Sequence, residues 1–472
     1  MSTPSNFDRF LKRNPHRHEW MTSRPHLTRR GLFEVAGAAL TGSYLVMNPG
    51  YLRGQAPVKI TSQPVTTLNK AKNVVFVLLT GAPSHTDTFD LKTVNGVTPK
   101  EFAPAVVNGM NFPTGLFPNL TKKLPDLCVA RSVRSWALVH TLAQTWNQIG
   151  RNPAAALGDI APNIGSVVAL ELEGQRQAGQ VFPTFVALNA NNCSGPGYFP
   201  GAYAPFKVTP TATGLLNTTN SEGQARADQM YTRLRQIDDP LRVNSPLGKD
   251  VADYDAFYKS ARGLMYNPKV DAAFKLSGGD VARYGSSSLG NAFLTAKQVL
   301  GQQQGTRFVQ INYGNWDMHI DIYGIDAPTG NNLFTVGKPL DVGLSAFIDD
   351  MKASGMWNDT LLVVGGEFGR TVGPLTGAKG RDHFLQQFCV FGGAGVKGGR
   401  PLGATNADGS DTVDFGWSRQ RYIRPEDIEA TIYSALGINW TTVRYDDPFG
   451  RGFEYVPFSD RDLYGPVNEF WA

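Results

Sequence analysis

Residues 74–81 read Val-Val-Phe-Val-Leu-Leu-Thr-Gly, a continuous apolar run that ends at a Thr-Gly pair. A short apolar run bounded by turn residues is typical of a strand that is buried on both faces of a parallel sheet. Similar runs stand at residues 307–313 and 361–364, and residues 289–301 and 340–351 before them carry apolar side chains at helical spacing. Strands that alternate with helices predict an α/β fold with a mostly parallel sheet sandwiched by helices.

Further elements extend this pattern along the chain. Residues 127–133 and 388–391 predict two more strands, and residues 161–172 and 425–436 predict helices. The stretch at about 190–290 is rich in Gly, Asn and Thr and in polar helical segments. We interpret it as a loop-rich insertion or cap on the sheet and not as a second domain.

The composition is that of a globular protein whose net positive charge comes from one end of the chain. The 472 residues include 45 Lys and Arg against 40 Asp and Glu, which gives a formal net charge of +5. Residues 1–56 hold eight basic and three acidic residues, so the remaining chain is balanced at 37 against 37. A neutral body without a basic helix argues against a nucleic-acid partner. Three widely spaced cysteines support neither a disulfide framework nor a cysteine zinc site.

Residues 1–56 are interpreted as a twin-arginine leader, followed by a single domain over residues 57–472. The segment 28–33 reads Thr-Arg-Arg-Gly-Leu-Phe, and residues 35–47 form a mostly apolar run that is too short to cross a bilayer. The alternative interpretation is a basic arm without an export role. The leader predicts export by the twin-arginine pathway to the periplasm, the cell envelope or the medium, with membrane attachment only through an uncleaved leader.

Polar side chains follow three of the predicted strands, at the point where each strand ends. The clusters lie at residues 84–90, at residues 315–319, and at residues 367–370 together with 380–383. Three of the four histidines outside the leader lie in these clusters, and each has an aspartate within two residues. Open parallel sheets bind ligands beyond the carboxyl ends of their strands. Imidazole with carboxylate is a ligand set for a divalent metal such as zinc, or manganese where more oxygen is present.

Each cluster alone also has a structural explanation. Asp87 or Asp90 would suit a helix N-cap, and Glu367 with Arg370 would suit a local ion pair. If the sheet prediction holds, all three clusters lie at the same edge of the sheet, which is not expected by chance. Together they favour a functional site at one edge of the sheet.

Four motifs resemble the signatures of an exported bacterial family, domain-of-unknown-function family 1501. They stand at residues 81–90, 315–319, 366–371 and 380–383, and the likeness runs from about residue 70 to 450. The resemblance implies an alkaline-phosphatase-like or sulfatase-like fold and no defined reaction. The wider superfamily implies two metals, a Ser, Thr or formylglycine nucleophile, and phosphate or sulfate esters as substrates.

The superfamily pattern is matched in one half of the site and not in the other. Asp317 and His319 resemble its Asp-and-His pair on one metal, and His383 resembles the late histidine that completes that metal. Thr80 stands where a metal-binding Asp is expected after the first strand. A Glu-Phe pair at residues 367–368 replaces the expected Asp-His pair.

The nucleophile is the largest departure from the superfamily. Residues 149–153 resemble the tail of the sulfatase signature, and counting back without gaps places His140 at the nucleophile position. The chain has no C/S-x-P-x-R segment, which argues against a formylglycine sulfatase. His140 could therefore serve as a metal ligand, a general base or a phosphohistidine site, or be a packed histidine. Ser84 and Thr86 are alternative hydroxyls near the end of the first strand.

These considerations predict a set of site residues with three kinds of role. The metal ligands are predicted to be Asp317, His319 and His383, with His85, Asp87 and Asp382 as further ligands. The catalytic residues are predicted to be His140, Glu367 and Arg370, and Arg370 or Arg381 would hold ester oxygens. The cofactor would be a divalent metal, with zinc favoured over manganese or calcium. The hypothesis requires the side chains of Asp317 and His383 to lie within about 8 Å of each other, given ligand distances of ~2 Å.

Two functions are compatible with this pattern. The first is an exported metal-dependent hydrolase of phosphate or sulfate esters, with a small anionic ester or an envelope polysaccharide as its substrate. The second is a catalytically degenerate relative that serves as a binding or assembly protein of the cell envelope. The missing Asp and the missing hydroxyl favour the second, whereas the retained histidines favour a working site. Of the two, we expect the protein to be the hydrolase.

Overall fold

Eight strands form the central sheet of this protein, whose computed structural model describes residues 58–242 and 249–472. The leader predicted over residues 1–56 lies outside the described residues. In chain order the described strands are β1 (Ile60–Thr61), β2 (Asn73–Leu79), β3 (Pro104–Val107), β4 (Met110–Pro113), β5 (Leu127–Arg134), β6 (Phe185–Leu188), β7 (Phe206–Val208), β8 (Phe308–Tyr313), β9 (Thr360–Gly366), β10 (Gly369–Arg370), β11 (His383–Phe384), β12 (Gln386–Gly392), β13 (Arg400–Leu402), β14 (Ala404–Thr405), β15 (Thr412–Asp414), β16 (Val443–Arg444) and β17 (Phe453–Glu454).

The described helices alternate with these strands over much of the chain. They are α1 (His140–Ile149), α2 (Ile164–Leu172), α3 (Gln224–Arg242), α4 (Lys249–Leu264), α5 (Pro268–Phe274), α6 (Gly278–Arg283), α7 (Ser288–Gly301), α8 (Leu333–Ala353) and α9 (Pro425–Ala435). None of the described helices has the length and apolar character needed to cross a membrane.

The central sheet has the strand order β13-β5-β12-β9-β2-β8-β6-β7. Strand β12 is antiparallel to both of its neighbours, β5 and β9, whereas the other neighbouring pairs are parallel. Seven strands therefore run in one direction and one runs against them. The predicted α/β class with a mostly parallel sheet is confirmed.

Both faces of β2 are buried, which explains its uninterrupted apolar sequence. Val75 and Val77 belong to a core on one face, which also includes residues of α7 and α8. Val74 and Phe76 belong to a second core on the other face, with residues of α2 and α9. Successive side chains of a strand point to opposite faces, so an apolar residue is needed at every position when helices cover both. The predicted sandwich of helices is confirmed.

Helix α8 begins earlier than the sequence pattern predicts. The Asn332 side chain accepts the backbone N–H groups of Phe334 and Thr335, while the Thr335 hydroxyl oxygen accepts the Asn332 N–H. This reciprocal capping satisfies backbone donors that would otherwise lack partners at a helix start. The helix therefore begins at Leu333, on the N-terminal side of Pro339, whereas the apolar spacing in the sequence begins at residue 340.

The stretch interpreted as an insertion contributes one strand to the central sheet. Strand β7 pairs in parallel with β6 at the sheet edge, and α3 to α6 follow it. A three-residue strand carries too short a pattern to be recognised from sequence. The domain boundaries stay a prediction, although residues 59–472 form one compact unit.

Two buried carboxyl groups on α9 predict that stability depends on pH. Burial raises the pKa of Glu426 to about 7 and the pKa of Glu429 to about 8, although Arg151 near Glu429 acts in the opposite direction. Both values lie above ~4.3, the usual pKa of an unfolded Glu. The folded protein therefore holds protons that the unfolded chain has released. This stabilising contribution is fully present below about pH 4.3 and is lost as the pH rises through about 7 to 8.

We expect the free energy of unfolding to fall between pH 5 and pH 8, by on the order of 1 kcal/mol per pH unit for each group. Urea denaturation at pH 5, 6.5 and 8 measures this slope. The Glu429→Gln variant should show a smaller slope, and the exposed Glu222→Gln variant should keep the original one. An unchanged slope in Glu429→Gln would contradict the assignment.

Candidate metal centre

The strand order brings the predicted polar clusters to one edge of the sheet. Strands β9, β2 and β8 are parallel neighbours, so their carboxyl ends meet at the same edge. Asp317 and His319 follow β8, Glu367 follows β9, and His383 opens β11, which pairs with β10. His140 joins them as the first residue of α1.

Four of the predicted residues offer ligand atoms that converge. One atom each from His140, Asp317, His319 and His383 lies within 4.8 Å of the others. Asp317 Oδ1 is 3.0 Å from His319 Nε2, 3.3 Å from His140 Nε2 and 3.8 Å from His383 Nε2. The last distance lies well inside the limit of about 8 Å that the sequence hypothesis required. We call these four residues the ligand cluster.

Each imidazole in the ligand cluster uses its Nδ1 atom for a hydrogen bond to an oxygen. His140 Nδ1 is 2.7 Å from Glu367 Oε1, and His319 Nδ1 is 2.9 Å from Asp382 Oδ1. His383 Nδ1 is 2.7 Å from the carbonyl oxygen of Leu138. These carboxylates and the carbonyl can only accept, so each Nδ1 carries the proton in the neutral imidazole. The lone pair of each neutral ring therefore lies on Nε2, the atom that faces the cluster.

The ligand cluster fits a divalent metal ion. Tetrahedral bonds of ~2.0–2.1 Å place ligand atoms roughly 3.3 Å apart, close to the distances around Asp317 Oδ1. His319 Nε2 and His383 Nε2 are 3.0 Å apart, and two lone pairs at this distance repel unless a cation or a proton lies between them. His140 Nε2 is buried without a hydrogen-bond partner. Carboxylate and carbonyl acceptors on the distal nitrogen are also the usual support of metal-bound histidines.

The charges around the cluster shift the protonation of its members. The hydrogen bond to Glu367 raises the pKa of His140 above its ordinary value. Burial lowers the pKa of His383. Burial acts to raise the pKa of Asp317, but the hydrogen bond and charge of Arg370 outweigh it and hold the pKa below the usual range. Asp317 is therefore ionised, as a metal ligand must be.

Arg370 is buried beside the cluster with all of its donors engaged. Its Nη2 is 2.5 Å from Asp317 Oδ1 and also donates to the carbonyl oxygen of Gly81. Its Nη1 is 3.2 Å from His319 Nε2 and from the carbonyl oxygen of Arg381, and its Nε donates to Ala82 O. Five N–H groups thus meet five acceptors. The guanidinium orients Asp317, and its contact with His319 Nε2 agrees with a lone pair on that atom.

Two glycines allow the backbone to approach closely behind the ligands. Gly81 has φ +101°, and a Cβ on it would lie 2.6 Å from the Asp317 amide nitrogen. A Cβ on Gly380 would lie 1.9 Å from the carbonyl of His319. No other residue type fits these positions without moving the strand ends that carry Asp317 and His319.

The residues predicted as further metal ligands take other positions. Asp382 contacts the distal nitrogen of His319 and is not one of the converging atoms. His85 is fully buried, and its Nε2 bonds the carbonyl oxygen of Gly409. Burial lowers the pKa of His85. Asp87 is buried in an ion pair with Arg381. The structure brings neither His85 nor Asp87 to the ligand cluster.

The predicted hydroxyls and the second arginine belong to the same buried network as Asp87. Ser84 Oγ donates to Asp87 Oδ2 at 2.5 Å, and Thr86 is buried beside it. Arg381 Nε donates to Asp87 Oδ2 at 2.6 Å, and its Nη1 donates to two backbone carbonyl oxygens. These groups already have partners inside the protein, so they do not face a ligand at the cluster.

Glu367 and Phe368 contact the imidazoles of the cluster and hold them in place. Glu367 is buried, and its Oε1 accepts from His140, from the Gly81 amide at 2.8 Å and from Gln144 Nε2 at 3.0 Å. The buried Phe368 ring packs on the rings of His140 and His383, with centroid distances of 4.8 and 4.7 Å. The pair that departs from the superfamily pattern therefore positions imidazoles and contributes no converging ligand atom.

Sequence reasoning missed the backbone groups that complete this arrangement. These groups are the Leu138 carbonyl and the Gly81 amide. Because almost every residue has a backbone carbonyl and amide, the sequence does not show which of them takes part in a site. Gln144 lies on the same helix as His140, one turn later, and its amide would have been detectable as a helical i, i+4 neighbour.

A comparison with known proteins matches a family over most of the chain. The family model described as "Protein of unknown function (DUF1501)" matches residues 71–461. No curated protein matches the sequence.

Several solved structures are similar to this chain in backbone. The lipoteichoic acid synthase LtaP from Listeria monocytogenes is 13% identical, over 84% of this chain and 78% of that chain, with a TM-score of 0.37. A protein in the alkaline phosphatase superfamily from Vibrio parahaemolyticus is 12% identical, over 85% and 75%, with a TM-score of 0.38. The PsFucS1 sulfatase from Pseudoalteromonas sp. is 12% identical, over 78% and 68%, with a TM-score of 0.37. At TM-scores below 0.5 these similarities assign no role to any residue.

Proposed function

We propose that this chain, which belongs to the family described as "Protein of unknown function (DUF1501)", is a metal-dependent hydrolase of phosphate or sulfate esters. The family description itself names no reaction. The family predicted from the sequence motifs is confirmed by the match over residues 71–461. The proposal itself rests on the geometry of the ligand cluster.

One observation carries the proposal. Three imidazoles have their Nδ1 atoms engaged by oxygen acceptors, and their Nε2 atoms lie 3.0 to 3.8 Å from Asp317 Oδ1. Three nitrogens and one oxygen favour zinc, whereas manganese prefers more oxygen and calcium takes about six to eight oxygen ligands. We propose a single metal held by His140, Asp317, His319 and His383.

The residues around the cluster divide the work of ester hydrolysis. The four converging side chains would fill a tetrahedral metal, so catalysis would require the ion to accept a fifth ligand, as zinc in catalytic sites can. At that fifth position a divalent metal would polarise the ester as a Lewis acid or lower the pKa of an attacking water. Glu367 and Asp382 hold two of the imidazoles in orientation. Arg370 Nη1 lies 3.2 Å from His319 Nε2, and if that lone pair were shared with a metal, this N–H would be available to an anionic ester oxygen.

The surroundings favour water over a protein hydroxyl as the nucleophile. Ser84 and Thr86 are buried in the Asp87 network. His140 Nε2 lies among the converging atoms, which favours the ligand role over a phosphohistidine. We propose that His140 is a ligand and that Glu367 and Arg370 are positioning residues.

We also propose that the protein works after export by the twin-arginine pathway, in the periplasm, the cell envelope or the medium. This rests on residues 28–47 of the sequence. Fractionation of cells that express the full chain tests it. The Arg29→Lys, Arg30→Lys double variant should remain in the cytoplasm, and its export at the normal level would exclude this pathway.

Metal analysis combined with an ester panel tests the function. We expect one equivalent of bound metal per folded chain and turnover of an aryl phosphate or an aryl sulfate. Chelation should abolish turnover, and zinc should restore it. Bound metal without turnover across the panel would instead support the degenerate binding or assembly protein of the envelope. Absence of metal binding would contradict both the proposed metal site and the proposed hydrolase.

A further inference from the structure

Apolar side chains next to the ligand cluster are exposed to solvent. Leu138 and Val139 directly precede His140, and Ile320 directly follows His319. Their exposed fractions are 40%, 59% and 71%. We call these three residues the apolar rim.

The backbone holds the apolar rim close to the cluster. The Leu138 carbonyl oxygen is 2.7 Å from His383 Nδ1, so this residue adjoins two of the three imidazoles. Val139 is the N-cap residue of α1, and Ile320 forms an isolated bridge with Lys379. The three side chains are therefore attached to backbone that adjoins the cluster.

Exposure of the apolar rim costs free energy that burial would recover. Apolar surface is stabilised by removal from water at about 25 cal/mol per Å². Single exposed apolar residues are ordinary on a protein surface, but these three stand beside the ligand cluster, where the group attached to a bound ester could cover them. The apolar rim has no packing role in either of the two main cores.

The charges at the cluster argue against a highly anionic polymer. Asp317 and Asp382 are exposed carboxylates there, and the Lys379 ammonium, whose backbone pairs with Ile320, is 43% exposed but lies 2.6 Å from Asp326 Oδ1. The neighbouring cations Arg370 and Arg381 are 1% exposed and have acidic partners. Recognition of a polyanion requires exposed Lys or Arg side chains that face its repeated charges. Each cation named here has an acidic partner, so none of them is left to bind further anionic groups.

We infer that the apolar rim binds the alkyl or aryl group of a phosphate or sulfate monoester whose single anionic group is held at the ligand cluster. This inference rests on the proposed function, because it names the substrate class of that site. It selects apolar monoesters over sulfated or phosphorylated polysaccharides.

A series of alkyl phosphates tests the inference because its members differ only in chain length. Ethyl, butyl, hexyl and octyl phosphate have leaving groups of nearly equal reactivity, so their kcat/KM values report binding of the chain. We expect kcat/KM to rise about two- to fourfold per added methylene, as for partial to full burial of each group. The Val139→Ser, Ile320→Ser double variant should flatten this rise. Serine is also a good N-cap residue, so helix α1 should be retained.

Exposed valines elsewhere supply matched controls. Val106 and Val413 are 77% and 67% exposed, and the Val106→Ser, Val413→Ser variant should keep the full dependence on chain length. A flat dependence in the unmodified protein, or an equal slope in the rim variant, overturns the inference. Binding to vesicles that the rim variant loses, together with a flat slope, would assign the rim to a membrane surface instead.

Binding of non-hydrolysable alkyl phosphonates separates failure of the inference from failure of the proposed function. Calorimetry on the metal-loaded protein measures their affinity without turnover. If no ester is hydrolysed but affinity rises with chain length and falls in the rim variant, the rim inference stands and hydrolysis does not. If esters are hydrolysed without dependence on chain length, hydrolysis stands and the rim inference fails.

Discussion

The Asp317→Asn variant is expected to bind zinc more than about 100-fold more weakly than the unmodified protein and to lose ester hydrolysis. Loss of groups that merely support a metal ligand costs about 10- to 100-fold in affinity, and loss of a ligand itself costs more. Asp317 supplies the only carboxylate oxygen among the four converging atoms. Asparagine retains an oxygen that can accept from Arg370, so the buried guanidinium keeps a partner and the fold should persist.

Competition titration against a zinc indicator measures the change in affinity, and circular dichroism checks the fold. The Asp326→Asn variant is the matched control, because Asp326 is an exposed aspartate that pairs with Lys379 outside the cluster. It should bind zinc normally. Normal zinc affinity in Asp317→Asn would show that the cluster is not the metal site.

The Asp87→Ala variant is expected to lose about 3–5 kcal/mol of unfolding free energy, the usual result of leaving one partner of a buried ion pair uncompensated. Asp87 and Arg381 are almost fully buried, with Asp87 Oδ2 2.6 Å from Arg381 Nε. The Tyr323 hydroxyl donates to Asp87 Oδ1 at 2.7 Å, and Ser84 donates to Oδ2. Removal of the carboxylate would leave the buried donors of Arg381, Tyr323 and Ser84 without this acceptor and without water to replace it.

Urea denaturation measures the loss, with Asp271→Ala as the control because Asp271 pairs with Lys275 on the surface and should matter little. The amount of zinc bound per folded chain tests the sequence hypothesis that Asp87 is a ligand. We expect the Asp87→Ala protein that remains folded to bind a full equivalent. A stable Asp87→Ala protein that binds no zinc would support the hypothesis that Asp87 is a metal ligand.

Much of the fold was predictable because burial leaves a regular trace in the sequence. The run at residues 74–79 is apolar at every position since both faces of β2 are covered. The same reasoning located β8 and β9, which are its parallel neighbours in the sheet. Strand β7 escaped prediction because three residues at a sheet edge carry no such trace.

The candidate site was predictable in part for the same reason. Once three parallel strands were recognised, their carboxyl ends had to meet, which predicted that the polar clusters after them would lie at one edge of the sheet. The grouping of Asp317, His319 and His383 came from the resemblance to the superfamily. The division of roles was less accessible. His85 and Asp87 follow β2 as closely as Asp317 follows β8, yet they turn into a buried network and do not join the cluster.

Local patterns of burial and short motifs were enough to predict the α/β class, the family and the strands around the candidate site. The three-dimensional arrangement was needed to establish which nitrogen of each histidine faces the cluster, and which carboxylate lies among the converging atoms, supports an imidazole or belongs to a buried ion pair. The physical reason is that these roles depend on partners far apart in the chain: Asp382 is 63 residues from His319, Glu367 is 227 residues from His140, and Arg381 is 294 residues from Asp87. No local pattern specifies such pairings, since they form only when the sheet brings the groups within hydrogen-bond distance.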